Sequence, residues 1–186
     1  MNFKYLLSIL FISLLFTKSL FSQKEFIANQ NKSEIVIIGT SNIHDWEMEV
    51  GIVKSSIQSS SNSIEDINQI NLEIPVRSLK SGQKKMEKNT YEVLNEAEHA
   101  NILFKSNRIT VGDTTYHAYG DLTIAGKTKQ VKIPFKLSEN KGVFKLTCDY
   151  KINMSVYQIE PPTALFGILK VGEIVNVAFN ISYLLN

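Results

Sequence analysis

Two-fold alternation of apolar and polar residues runs through most of this chain and constrains its fold more than any other feature. Trp46, Met48, Val50 and Ile52 share one phase, with Glu47 and Glu49 on the other. Ile70, Leu72, Ile74 and Val76 repeat the pattern against Asn71, Glu73 and Arg77. Phe144, Leu146, Cys148, Tyr150 and Ile152 oppose Lys145, Thr147, Asp149 and Lys151, and Val175, Val177, Phe179 and Ile181 oppose Asn176, Asn180 and Ser182. Side chains alternate across a strand, so each segment has one apolar and one solvated face. With Ile35 and Ile37 opening the first strand, the series predicts about eight half-buried strands of an antiparallel sheet with one wet side. Closing such a sheet into a barrel removes its exposed edges. At eight strands the interior is just wide enough for side chains or one slender ligand.

Two regions break the rhythm. Ser55–Asn68 is rich in Ser and Asn and reads as a strand end plus an exposed turn. Gly82–Glu98 is helix-compatible, with Met86, Val93, Leu94 and Ala97 as its buried stripe; the helix would cover one end or the seam of the barrel. Tyr116–Ile124 and Val131–Leu137 read as a hairpin joined at Ala125-Gly126-Lys127, a glycine-containing turn signal.

Three phrases carry more specific information through their order and spacing. They are Tyr91-Glu92-Val93-Leu94 at the end of the helix, Ile102-Leu103-Phe104 in the next strand, and Gly120-Asp121-Leu122-Thr123-Ile124-Ala125-Gly126-Lys127-Thr128-Lys129 across the hairpin. Together they resemble the YceI-like proteins, a family of extracytoplasmic lipid-binding barrels. The resemblance is strongest from Ile74 to Leu137. It implies an all-β, extended, antiparallel eight-stranded lipocalin-like barrel with one short helix. It also implies a non-enzymatic protein whose partner is a long apolar ligand, a polyisoprenoid or isoprenoid quinone. Where the family often opens on a His-Ser-x-Val-x-Phe phrase, this chain has Lys32-Ser33-Glu34-Ile35-Val36-Ile37, and histidine arrives only at His44.

Residues 1–22 read as a secretory signal peptide: Lys4 gives a short basic start and Leu6–Phe16 an apolar run too short to span a bilayer comfortably. Cleavage before Gln23 competes with a cut after Ser19, and an uncleaved anchor is the rival reading. Residues 23–186 then form one domain with room for a substantial core. The whole chain holds 20 Lys+Arg and 18 Asp+Glu; Lys4 and Lys18 leave with the leader, so the mature chain is close to neutral. Nothing in that balance suggests nucleic acid as a partner. Periplasmic or secreted localisation is expected, with transient membrane contact open. Cys148 is the only cysteine; it excludes an intramolecular disulfide and reads as a small buried hydrophobe.

The densest polar cluster is Thr40-Ser41-Asn42-Ile43-His44-Asp45-Trp46. It is a tight turn, a polar gate, or a His/Asp pair for proton transfer. His44, His99 and His117 lack the spacing of metal ligands, no nucleophile elbow is present, and no cofactor is implied. The phrase from Gly120 to Thr128 imitates a phosphate loop, but its interval and its strand–turn–strand setting are wrong. In Glu160–Leu169, Leu165, Phe166 and Ile168 follow two prolines and read as either a plug over the barrel end or a lipid-facing lid. The candidate ligand-binding interior and lid comprise Trp46, Met48, Phe104, Ala118, Gly120, Leu122, Phe135, Phe144, Leu146, Phe166 and Phe179. Gly120 and Ala118, being small, are expected to leave space. If the larger side chains meet in the middle, the alternative is a solid barrel acting as an interaction or stress-related protein; an enzyme built on His44 and Asp45 is the third possibility.

Overall fold

A computed structural model describes residues 24–61, 66–164 and 169–185; the expected leader and the Phe166 segment lie outside them. The strands are β1 (Lys24–Ala28), β2 (Glu34–Ser41), β3 (Trp46–Val50), β4 (Lys54–Ser59), β5 (Ile67–Pro75), β6 (Leu79–Lys80), β7 (Asn101–Val111), β8 (Tyr116–Ile124), β9 (Lys127–Asn140), β10 (Val143–Asn153), β11 (Thr163–Ala164) and β12 (Leu169–Leu185). Among the described residues one α-helix, α1 (Lys84–Val93), lies between β6 and β7.

Eleven of these strands make eight staves, and the two-residue β11 pairs only with the start of β12. β1 and β2 pair successively with the same edge of β12, Ala28 opposite Tyr183 and Glu34 opposite Asn180. β4 and β3 pair with β1 and β2 in turn, and β5 and β6 pair with β4 and β3. Each of these pairs is therefore one long stave with a break. β7, β8, β9, β10 and β12 complete an antiparallel meander that closes on itself through β12 and β1. The eight-stranded antiparallel barrel expected from the alternation is the observed fold.

The three breaks fall side by side. A 3-10 turn at Gln30–Lys32 splits the first stave, Gly51–Val53 the second, and a 3-10 turn at Val76–Ser78 the third. Interrupted ladders leave backbone groups that need partners, and they find them across the belt. Asn29 N donates to Ser182 O at 2.7 Å and Ser182 N to Ser33 Oγ at 3.1 Å. Gln30 spans the next gap, donating from Nε2 to Gly51 O and accepting from Val53 N at 2.8 Å. Gly51 N then donates to Ser78 O at 2.7 Å.

Several local expectations need correction. β1 precedes the strand opened by Ile35. Ser55–Ser59 is not a strand end but part of β4, with Ser55, Ile57 and Ser59 all buried; serine hides the alternation because its side chain is polar on both faces. In α1 and the turn after it, Met86, Tyr91, Val93 and Leu94 pack on the core, whereas Ala97 is exposed. Tyr91 anchors the helix by donating to Leu79 O at 2.9 Å while accepting from Lys80 Nζ at 2.8 Å. The β8–β9 turn has two residues, Ala125 and Gly126, both at positive φ (47° and 73°). That is the backbone that a tight twisted hairpin requires.

Candidate ligand-binding interior

The inward phases of all eight staves meet inside the barrel. Phe26 and Phe144 lie face to tilted face with centroids 4.4 Å apart, and Tyr116 stacks on Phe135 at 5.4 Å. Between the packed layers remains a cavity of about 50 Å³. Phe104, Ala118, Phe135, Leu146 and Phe179 line it, together with Ile70, Leu72, Ile133 and Ile181. Ser55, Cys148 and Tyr183 complete the wall. The space admits a few water molecules and is far below the roughly 300 Å³ of ordinary ligand sites.

Of the other residues named from the sequence, Met48, Leu122 and Phe144 are buried but stand away from this cavity. Met48 lies beneath α1, where Thr90 Oγ1 approaches its sulfur at 3.4 Å. Trp46 is half-buried, laid across its cross-strand partner Gly39 with its indole N–H donating to Thr40 O at 3.1 Å. Gly120 does not leave space. A Cβ there would stand 2.2 Å from Lys105 O, because β7 bulges toward β8 between Ser106 and Arg108; the glycine lets two backbones touch. Phe166 lies outside the described residues. Ile70, Leu72, Cys148 and Ile181 lay on apolar phases and were legible as inward-facing; Tyr183 continues the phase of Ile181. Ser55 carried no signal in its Ser-rich tract.

Ser55 and Tyr183 supply the hydroxyl groups of the wall. Their oxygens are 2.7 Å apart, and Ser55 Oγ is also 2.7 Å from Asn71 O. A carbonyl only accepts, so Ser55 donates to Asn71 and Tyr183 donates to Ser55. Burial holds the Tyr183 phenol well above its ordinary range, with the Ser55 hydrogen bond opposing this weakly. Burial, reinforced by the charge of Asp149, pushes the Cys148 thiol up to about 12. Among the described residues the wall carries no Asp, Glu, Lys, Arg or His.

The barrel is not uniformly laced. β9 pairs with β8 from Lys127 to Phe135, but with β10 only from Lys136 to Asn140. A wedge therefore opens between β9 and β10 toward the end that carries the Ala125-Gly126 turn. The chain leaving β10 folds back there as a 3-10 turn, Met154–Tyr157, which packs against β9 and β12. Gln158 follows in the left-handed region (φ 59°) and turns the chain so that Tyr157 and Ile159 are both buried. This strap covers the wedge; Leu165, Phe166 and Ile168, expected as a plug or a lid, lie outside the described residues.

The polar cluster of residues 40–46 is a capped β2–β3 turn. Ser41 Oγ accepts from Ile43 N and His44 N and donates to His44 O. His44 Nδ1 lies 2.7 Å from the backbone carbonyl of Asp45, and Asn42 Oδ1 accepts from Lys170 N at 2.8 Å. These contacts fix a turn and tie it to β12. Among the described residues no group of His, Cys, Asp and Glu converges as a metal site would. A larger hollow of about 540 Å³ beside the β7–β8 turn, lined by Val111–Thr114, Tyr116 and Leu137, opens to solvent and gathers no reactive set.

Comparison with known proteins agrees with this architecture. The family model for the YceI-like domain matches residues 26–183. Among solved structures, BcnA from Burkholderia cenocepacia superposes with a TM-score of 0.71 at 17% identity, covering 83% of this chain and 98% of that one. A polyisoprenoid binding domain from Saccharophagus degradans, implicated in plant cell wall breakdown, gives 0.68 at 12% identity over 87% and 98%. The Campylobacter jejuni YCEI protein gives 0.58 at 12% identity over 70% and 80%. No curated protein sequence matches at a significant level.

Proposed function

This chain belongs to the YceI-like family, and from that premise we propose that it is a non-enzymatic binding protein that holds a long apolar ligand, a polyisoprenoid or isoprenoid quinone, inside its barrel. The observation that carries the reading is the wall of the cavity: ten apolar or thiol side chains, two hydroxyls and no charge. Such a wall gains about 0.8 kcal/mol for each CH₂ it removes from water. Affinity for an alkyl chain then needs no catalytic or ionic group. The polyisoprenoid-binding neighbour of the same fold supports the ligand class.

A cavity of 50 Å³ is too small for such a chain, so binding requires the barrel to widen. The unlaced stretch between β9 and β10 is where widening breaks fewest hydrogen bonds, and the strap of Tyr157 and Ile159 covers it. The apolar composition of residues 1–22, read as a leader, supports action outside the cytoplasmic membrane, in a periplasm or beyond it, with membrane contact only in passing. The same small volume favours the second reading, a filled barrel that acts through its surface.

The two readings separate on the mature protein purified from its native host, extracted with organic solvent and analysed by mass spectrometry beside its native mass. About one isoprenoid per chain establishes the carrier. A lipid-free protein that also takes up no added polyprenol or quinone overturns it in favour of the filled barrel.

A further inference from the structure

Resting on the lipid-binding reading, the Ser55–Tyr183 pair narrows the class of ligand. Tyr183 is 0% exposed, and with Ser55 it supplies the hydroxyls of the wall. With Ser55 donating to Asn71 O, the proton of Tyr183 is committed to Ser55. What Tyr183 Oη has left is lone-pair capacity, which a ligand can satisfy only by donating. A carbonyl oxygen placed there would face an acceptor, and an ionised phosphate would be buried with no cation in the wall to pair it. We infer that the interior selects a lipid whose polar end carries a neutral hydroxyl, an isoprenoid alcohol or a phenol or quinol with an isoprenoid tail, and that this hydroxyl donates to Tyr183 Oη.

The position suits this role. Ala28 and Tyr183 are cross-strand partners at the end of β1, and Ser55 lies on β4 at the other flank of the same strand. The hydrogen bond thus crosses beneath the point where the first stave breaks. A hydroxyl arriving there meets the end of the apolar space, while the tail extends past Phe104, Phe135 and Phe179.

The test compares geranylgeraniol, its methyl ether and its monophosphate for binding to the mature protein by calorimetry, with a short-tailed isoprenoid hydroquinone and the matching quinone as a second pair. The alcohol should bind roughly tenfold tighter than its ether, one hydrogen bond's worth of discrimination, and the hydroquinone should exceed the quinone. Whichever hydroxyl form binds more tightly identifies the source. Tyr183→Phe should equalise alcohol and ether, and Ser55→Ala, which frees the Tyr183 proton, should improve quinone binding. Equal affinity of alcohol and ether in the unaltered protein, or preference for the phosphate, overturns this inference and leaves the lipid-binding reading standing. Failure of every lipid to bind overturns both.

Discussion

Ser55 and Tyr183, 128 positions apart in sequence, place their hydroxyl oxygens 2.7 Å from each other inside the barrel and join β4 to β12 across the end of β1. The two halves of this bond are unequal. Tyr183→Phe leaves Ser55 its bond to Asn71 O and should cost about 1 kcal/mol. Ser55→Ala strands a buried phenolic donor and should cost about 1–3 kcal/mol, while the double variant should be less destabilised than the sum of the singles. Denaturant midpoints read all three; additive losses would show that the hydroxyls do not interact.

Gly120→Ala should lower stability by about 1–3 kcal/mol. The added Cβ meets backbone on both near contacts, Lys105 O at 2.2 Å and Ser106 Cα at 2.6 Å, and neither can rotate away as a side chain would. An unchanged unfolding midpoint would show that β7 and β8 do not approach this closely.

Alkali should destabilise the protein through Cys148 and Tyr157. Burial pushes both up to about 12, from ordinary values of 9.0 and 10.0 respectively. Above the ordinary value the unfolded chain releases a proton that the folded chain keeps, so stability falls as pH rises. The contribution is complete below about 9 and is lost between about 9 and 12. Unfolding midpoints across that range check the fall, and Cys148→Ala should flatten its lower part. A stability that rises with pH there would contradict the burial of both groups.

The strap should control access to the interior. Cys148 is the chain's single thiol and lines the cavity, so its labelling rate with a thiol reagent reports local opening. Tyr157→Ala and Ile159→Ala should speed labelling by roughly tenfold, equivalent to about 1.4 kcal/mol of lost closure. Val156→Ala, on the 48% exposed side of the same turn, should not. Equal rates in all variants would mean that Tyr157 and Ile159 do not gate the wedge.

The sequence revealed the barrel because alternation is a local property: each stave's inward phase is written in its own residues, and one face of the sheet is wet. Residues 101–137 were clear for the same reason, the hairpin turn having only one backbone that suits it. Continuity between staves was not legible. That β1 and β2 are one interrupted strand depends on both pairing with β12, and the link from Gln30 to Gly51 and Val53 has no local signature. The site was half legible. Phe104, Phe135, Leu146 and Phe179 line the cavity because their phase says so. Whether they meet depends on stagger between strands, which removed Met48, Leu122 and Phe144 from the wall. Gly120 misled because small size means either a space or a close neighbour, and only the bulge in β7 distinguishes the two.

The most direct test of the account loads the mature protein with a polyprenol carrying a photoreactive diazirine on its tail, irradiates it and maps the labelled residues by peptide sequencing. Insertion should fall on the cavity wall, at Phe104, Phe135, Leu146 or Phe179. Labelling confined to the outer face, for example around Tyr119 between Arg108 and Lys132, or to the exposed Ile27 and Leu184, would contradict the claim that the barrel interior is the binding site.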